Sequence, residues 1–241
     1  MPASRRAVAR ATELAFGGRF TEALETLGSA TSGHAQWVRA YVASSRGEFA
    51  RARALAAPLA ELAHARAVRV AAGITLGSVL RQTARHARAE AWDQWALDQA
   101  RTDAERAHAL IGLAADAIGR HRVSSCDARL AEADAIGVAA DWRAQVRLDW
   151  VRVERALTIG RPRDGLRPGK RGVRIARGAD ARRHVAKSRL FYGVALVDAG
   201  FLAAARRELT AALRGAQACG AGRVARVAHT VLEQKAIQAA G

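Results

Sequence analysis

Apolar residues along this chain recur three and four positions apart, the spacing that lines one face of an α-helix, and nowhere settle into the alternation of a half-buried strand. The period restarts at short interruptions, and three of these share one frame. Gly-x-Phe-x-x-Ala occurs at Gly18, Phe20 and Ala23 and again at Gly47, Phe49 and Ala52, and returns with leucine for phenylalanine at Gly200, Leu202 and Ala205. The glycine lets one helix end in a left-handed or open conformation, the apolar residue staples the turn, and the alanine begins the close packing of the next helix.

The predicted helices fall in pairs. The first covers 4–16 and 20–29, with Leu14, Ala23 and Leu27 inward, and the second covers 33–46 and 49–63, with Trp37 and Tyr41 on one face. Pro58 predicts a kink or an end near Ala57. In the third pair, 66–85 and 87–100, Ala84 stands where a turn glycine is expected. In the fourth, 102–119 and 124–136, Gly119 takes the turn, Ser124, Ala128 and Ala131 are the small residues after it, and Ser124 or Ser125 is the expected N-cap. A long helix over 138–159 opens the fifth. Beyond it Pro162, Pro168 and the glycines 165, 169 and 172 predict a loop over 161–169 and at most a short helix over 170–177, because each glycine costs a helix about 1 kcal/mol relative to alanine. The sixth pair spans Lys187–Gln217 about Gly200, and a last helix over 221–239 is expected to serve as a cap.

The sixth pair carries the most specific pattern. Gly193, Gly200, Ala205, Leu209 and Ala212 resemble the small and large positions of the tetratricopeptide repeat (TPR), and Leu76-Gly77 and Ile111-Gly112 match its Leu-Gly step. Arg189 stands where that family has tryptophan. Turn glycines lie 29 (Gly18 to Gly47), 41 (Gly119 to Gly160) and 40 (Gly160 to Gly200) residues apart, against a family period of about 34. The chain therefore also resembles the looser helical repeats of sensor regions in large bacterial transcription activators. The resemblance implies an all-α, TPR-like α-α superhelix: a right-handed solenoid of about six hairpins plus a capping helix. It would run as a single domain over 1–241, with an irregular basic segment near 160–170 and a concave groove lined by the first helix of each pair.

Composition agrees with closely packed helices: 50% of residues are hydrophobic, but only 5% are aromatic, and small aliphatics dominate. The net charge of +17 points to anionic partners. Only three of the 39 cations are lysine, a bias that a GC-rich bacterial genome also produces. Cys126 and Cys219 have no metal-like spacing and read as small buried residues of a reducing, cytoplasmic protein. The N-terminal stretch lacks the apolar core of a secretory signal, and no uncharged run approaches the length of a membrane span.

Few motifs suggest chemistry. Gly165 to Arg171 resembles a phosphate loop, but its glycine spacing is short and arginine replaces the Ser or Thr that would hold magnesium. Gly220-Ala-Gly222 follows a helix, not a strand, and reads as a turn. The seven histidines form no HxxxH or HExxH pair, and no Ser or Cys sits in the context of an activated nucleophile. No metal, cofactor or catalytic residue is assigned, and the protein is not expected to be an enzyme. The acidic residues between Glu90 and Glu154 recur among arginines at the spacing of solvated faces.

The candidates for partner binding are basic and aromatic. Arg161 to Arg189 holds eleven cations against two aspartates, with Arg163, Arg167, Lys170, Arg171, Arg174 and Arg177 at its centre. It reads either as a solvated arginine face or as an element docking nucleic-acid phosphates or an acidic protein segment. Of the five tryptophans, Trp142 is assigned to the core, whereas Trp92, Trp95 and Trp150 are open between core and interface anchor. The expected function is a non-catalytic adapter or regulatory module binding a protein or peptide segment, an acidic one by preference, in its groove. The alternative is nucleic-acid binding through 161–189. The asparagine-dependent carboxylate clamp of chaperone-binding TPRs is unavailable to a chain without asparagine, and the uneven charge permits self-association.

Overall fold

The computed structural model describes residues 5–61 and 64–234, and among them the chain is all-α: thirteen α-helices, two 3-10 turns and no strand. It divides into two compact units, Met1–Val138 and Ala139–Gly241. The first holds four hairpins, α1 (Arg5–Phe16) with α2 (Phe20–Leu27), α3 (Gly33–Arg46) with α4 (Phe49–Glu61), α5 (Arg66–Gln82) with α6 (His86–Gln99), and α7 (Asp103–Gly119) with α8 (Val123–Ala135). Hairpin partners pack together, and α1, α3, α5 and α7 pack in series. The second unit holds α9 (Trp142–Thr158), α10 (Leu166–Gly178), α11 (Arg182–Asp198), α12 (Leu202–Ala218) and α13 (Gly222–Leu232), with the series α9, α11 and α13 likewise in contact. The expected continuations of α4 to 63 and of α13 to 239 lie outside the described residues.

One turn is used eight times. A residue with positive φ follows the helix, at Gly18, Gly47, Ala84, His121, Gly160, Asp180, Gly200 and Gly220. The amide after it donates back to the carbonyl five residues earlier, at 2.8–3.0 Å in every case, as from Arg19 to Leu14 and from Phe201 to Leu196. This six-to-one bond satisfies a carbonyl the helix would otherwise leave open. Five residues after the left-handed one, a small side chain is buried: Ala23, Ala52, Ala89, Cys126 and Ala205 are each 0% exposed. Helices therefore approach closely. In the α11–α12 hairpin Ala205, Leu209 and Ala212 are fully buried, and a Cβ at Gly193 would lie 2.7 Å from Leu209 Cγ, so the leucine seats directly on bare backbone.

Several boundaries depart from expectation. The left-handed residue of the fourth hairpin is His121 and not Gly119, which is the last residue of α7. The inward face of α8 moves accordingly, from Ser124, Ala128 and Ala131 to Cys126, Leu130 and Ala133, and the N-cap is Arg122 without a side-chain bond. Val138–Ala140 is a 3-10 turn, and α9 starts at Trp142, capped by Asp141. Pro58 does not end α4. Pro58 and Ala54, the residue whose carbonyl loses its donor, are both exposed, so water can satisfy the freed group. The segment 161–169 is not a loop throughout: Pro162–Gly165 is a 3-10 turn and α10 begins at Leu166. Pro168 falls in the first turn of α10, where the missing N–H would have had no partner. A Cβ at Gly169 would come within 3.0–3.1 Å of Tyr192, so there the glycine is required for helix approach.

Candidate functional site

The face of α10 turned away from α9 and α11 is basic. Arg167, Lys170, Arg174 and Arg177 of α10, with Arg163 of the 3-10 turn before it, are spaced four, three, four and three residues apart and all exposed, while Gly169, Gly172, Val173 and Ala176 are buried. Among the described residues no carboxylate forms an ion pair with any of these five cations. Arg171 points the other way. Its Nε donates to Asp149 Oδ2 at 3.0 Å and its second guanidinium nitrogen to Asp149 Oδ1. Asp149 is 0% exposed, so Arg171 neutralises a buried carboxylate and is structural. Of the six cations singled out in the sequence, five share the surface and one does not.

α12 extends the basic face. Arg206, Arg207 and Arg214 are exposed and, with Arg189 of α11, Thr210 and Ala211, line an open cleft of ≈ 550 Å³. Arg189 lies 3.6 Å from Glu208. Burial pushes the Glu208 carboxyl up, against the opposing pull of Arg177 and Arg207, which ties α10 to α12 electrostatically. At one end of the face Phe201 is 44% exposed, with the Arg163 guanidinium 5.6 Å from its ring centre. Arg206, Arg207, Arg214 and Phe201 were not singled out in the sequence. The signal for the arginines, Arg206-Arg207 with Arg214 seven residues or two helical turns further on, lies outside 161–189.

No protein-family model matches the chain, and neither does any curated protein. The site is therefore read from its own geometry.

Of the tryptophans left open in the sequence, Trp150 falls in the core. Trp150 is 7% exposed and donates through Nε1 to Ser188 Oγ at 2.8 Å. It stacks on His184 and Phe191 at 5.5 and 5.9 Å, under Lys187 Nζ at 4.2 Å. It belongs to the core between α9 and α11, and Trp142, expected in the core, packs half-buried against the same cluster with its edge to His184. The His184 imidazole is held well below its ordinary range by burial and by Arg183, Arg143, Lys187 and Arg147, so it is neutral. Trp92 and Trp95 lie in the first unit, edge to face at 5.7 Å and half-buried. Trp95 fills the place of a side chain at Gly73, where a Cβ would come 2.8 Å from its ring.

The first helices α7 and α11 expose little. Every residue of α7 from Ala107 to Ile118 is buried, and on α11 only Arg182 and Asp198, at its two ends, are exposed. Within the first unit Asp93 and Asp116 are each 0% exposed, which overturns their reading as solvated-face residues, as it does for Asp149. Arg81 Nη1 lies 2.7 Å from each of the two carboxylates and donates to Gly112 O at 3.0 Å. Glycines at 77 and 112 make the room, since a Cβ at either would meet the Asp93 carboxylate at 2.4–2.8 Å. Among the described residues no group of three His, Cys, Asp or Glu side chains is placed to hold a metal ion, and no helix is long and apolar enough to cross a membrane.

Proposed function

We propose that the protein is a non-catalytic adapter, a TPR-like helical-repeat module that binds an acidic protein segment on the face formed by α10 and α12. One observation carries the reading: the stripe Arg163, Arg167, Lys170, Arg174 and Arg177 is exposed, in helical register and without ion-pair partners among the described residues. Like charges at i,i+4 each destabilise a helix by about 0.2–0.5 kcal/mol, and α10 already contains glycines. A bound polyanion relieves that repulsion, which the Glu208 carboxyl offsets only in part, at Arg177. The TPR-like superhelix is part of the proposal, supported by the serial packing of first helices in each unit and by Leu209 on Gly193. The face proposed here differs from the groove expected in the sequence, a choice supported by how little of α7 and α11 is exposed. A non-catalytic role is supported by the cleft: its Arg189, Arg206, Arg207, Thr210, Ala211 and Arg214 include no histidine or carboxylate to activate Thr210. The buried thiols of Cys126 and Cys219 suit a reducing cytoplasm.

A second reading uses the same cations for nucleic-acid phosphates, favoured by the prevalence of arginine, which meets phosphate bidentately. The two separate in a binding experiment. Fluorescence anisotropy would compare a glutamate-rich peptide with an oligonucleotide of equal charge, on the native chain and on one carrying Arg167→Glu, Arg174→Glu and Arg177→Glu. The peptide is expected to bind, and the triple reversal to weaken it by more than about tenfold, while reversal of Arg51 and Arg53 on exposed positions of α4 changes little. Oligonucleotide binding whose logarithm falls by about 0.7–0.9 per contacted phosphate per decade of salt, with no peptide binding, replaces the first reading by the second.

A further inference from the structure

The residue after the left-handed one in the six turns that join first to second helices is Arg19, Glu48, Arg85, Arg122, Arg161 or Phe201. Five of the six are charged. Three of those pair with the residue three further on: Arg19 with Glu22, Glu48 with Arg51 at 3.2 Å, and Arg161 with Asp164 at 2.8 Å. The sixth turn departs from this rule. Phe201 is followed at the pairing position by Ala204, and the apolar staple of that turn is supplied by Leu202, as by Phe20 and Phe49 in theirs. Phe201 is therefore not the staple of its turn, and at 44% exposure it stands out as the exposed large hydrophobic side chain among the described residues. Single exposed apolar residues are ordinary on protein surfaces. This one is distinguished by its place: it occupies a position where every equivalent turn is charged, and it lies under the guanidinium of Arg163, the first cation of the stripe.

We infer that Phe201 and Arg163 form the apolar anchor of the basic face, and that the bound acidic segment carries a large apolar side chain at one end of its run of carboxylates. The inference rests on the reading of that face as a site for an acidic protein segment. From Arg163 to Arg177 the stripe advances about 20 Å at 1.5 Å per residue, so a helical segment of about 14 residues covers it, with carboxylates at three- and four-residue spacing. Charge alone leaves such a segment free to slide by one helical step along a periodic stripe. A single aromatic contact beside an arginine fixes the register, in keeping with the enrichment of aromatic and arginine residues at the energetic centres of interfaces.

The test uses the full chain and two labelled peptides of about 18 residues, both with glutamates at helical spacing, one bearing a terminal tryptophan and the other serine at that place. The tryptophan peptide is expected to bind the native chain at least about tenfold more tightly. Phe201→Ala should remove that difference and leave the serine peptide unaffected, and Phe201→Leu should restore most of it. Phe201 is on the surface, and an unchanged thermal midpoint shows that the variants are folded. Equal affinity of the two peptides for the native chain, or a Phe201→Ala loss of the same size for both, overturns the anchor. In that case the reading of the face still stands if the Arg167, Arg174 and Arg177 reversals weaken both peptides. If neither peptide binds, or the reversals change nothing, the reading of the face fails and the anchor fails with it.

Discussion

Asp93, Asp116 and Arg81 leave one negative charge too many in the interior of the first unit, and a buried excess charge is resolved by taking up a proton. The Asp116 carboxyl is pushed up to about 8, first by burial and further by Asp93, with Arg81 opposing. Between the ordinary carboxylate range near 4 and about 8, the folded unit holds a proton that the unfolded chain releases. That contribution to stability is full at low pH and is lost as pH rises through about 8. His86, 3.5 Å from Asp116, is held below its ordinary range by burial and by Arg81, so above pH 7 it is neutral folded and unfolded and adds no slope. The first unit should therefore lose about 1 kcal/mol between pH 7 and 9 in urea denaturation, and Asp116→Asn, an uncharged isostere, should flatten the curve. An unchanged native midpoint across that range contradicts the assignment. None of this was legible in the sequence. Asp93 and Asp116 share a periodicity with solvated acids, and only the pairing of α5, α6 and α7 reveals that Gly77 and Gly112 vacate the space for a carboxylate.

At the scale of helices and turns, the legible part follows glycine. Where the left-handed residue is Gly18, Gly47 or Gly200, the adjoining helix ends lie close to expectation. Where it is Ala84, His121 or Asp180, with φ of 58°, 57° and 47°, the pattern misleads, because no compositional signal marks a side chain forced into that region. Gly119, two residues before His121, drew the boundary of the fourth hairpin to itself and shifted the whole inward face of α8; Cys126, five residues after His121, was the available clue. The glycines of α10 misled in the opposite sense. Their helix cost was visible, but the buried contact of Gly169 with Tyr192 that requires smallness was not. Ala84 should be the improvable turn. A left-handed non-glycine costs about 1–2 kcal/mol, part of which glycine forfeits to its freer unfolded chain, so Ala84→Gly should stabilise the first unit by roughly 0.5–1 kcal/mol. Gly200→Ala, the reverse exchange in the second unit, should destabilise by the same roughly 0.5–1 kcal/mol, since no atom lies in the way of the new side chain. Chemical denaturation of the two variants measures both, and a loss in Ala84→Gly would mean that the turn is held by contacts other than its backbone.

For the molecule as a whole, charge separates the units more sharply than architecture does. Residues 139–241 carry 21 basic and 8 acidic side chains, a net of +13, while residues 1–138 carry 18 and 14, a net of +4. Self-repulsion is therefore concentrated in the second unit, and salt, which shortens the screening length from about 30 Å at 0.01 M to about 8 Å at 0.15 M, should stabilise that unit in preference to the first. With two units of different response, one global unfolding free energy is not defined, and the measurement must resolve them. Hydrogen exchange read peptide by peptide does so: protection in α9 to α13 should rise with salt while α1 to α8 changes little. A glutamate-rich ligand acts on the same charges but saturates. At a hundred times its dissociation constant it should add about 2.7 kcal/mol to the second unit, and the addition should vanish at high salt and in the Arg167, Arg174 and Arg177 reversal. The reversal should itself stabilise the ligand-free second unit, because it removes repulsion that the native chain retains for a partner. If the reversal instead destabilises that unit, the stripe serves the fold, and the case for an acidic partner on α10 is lost.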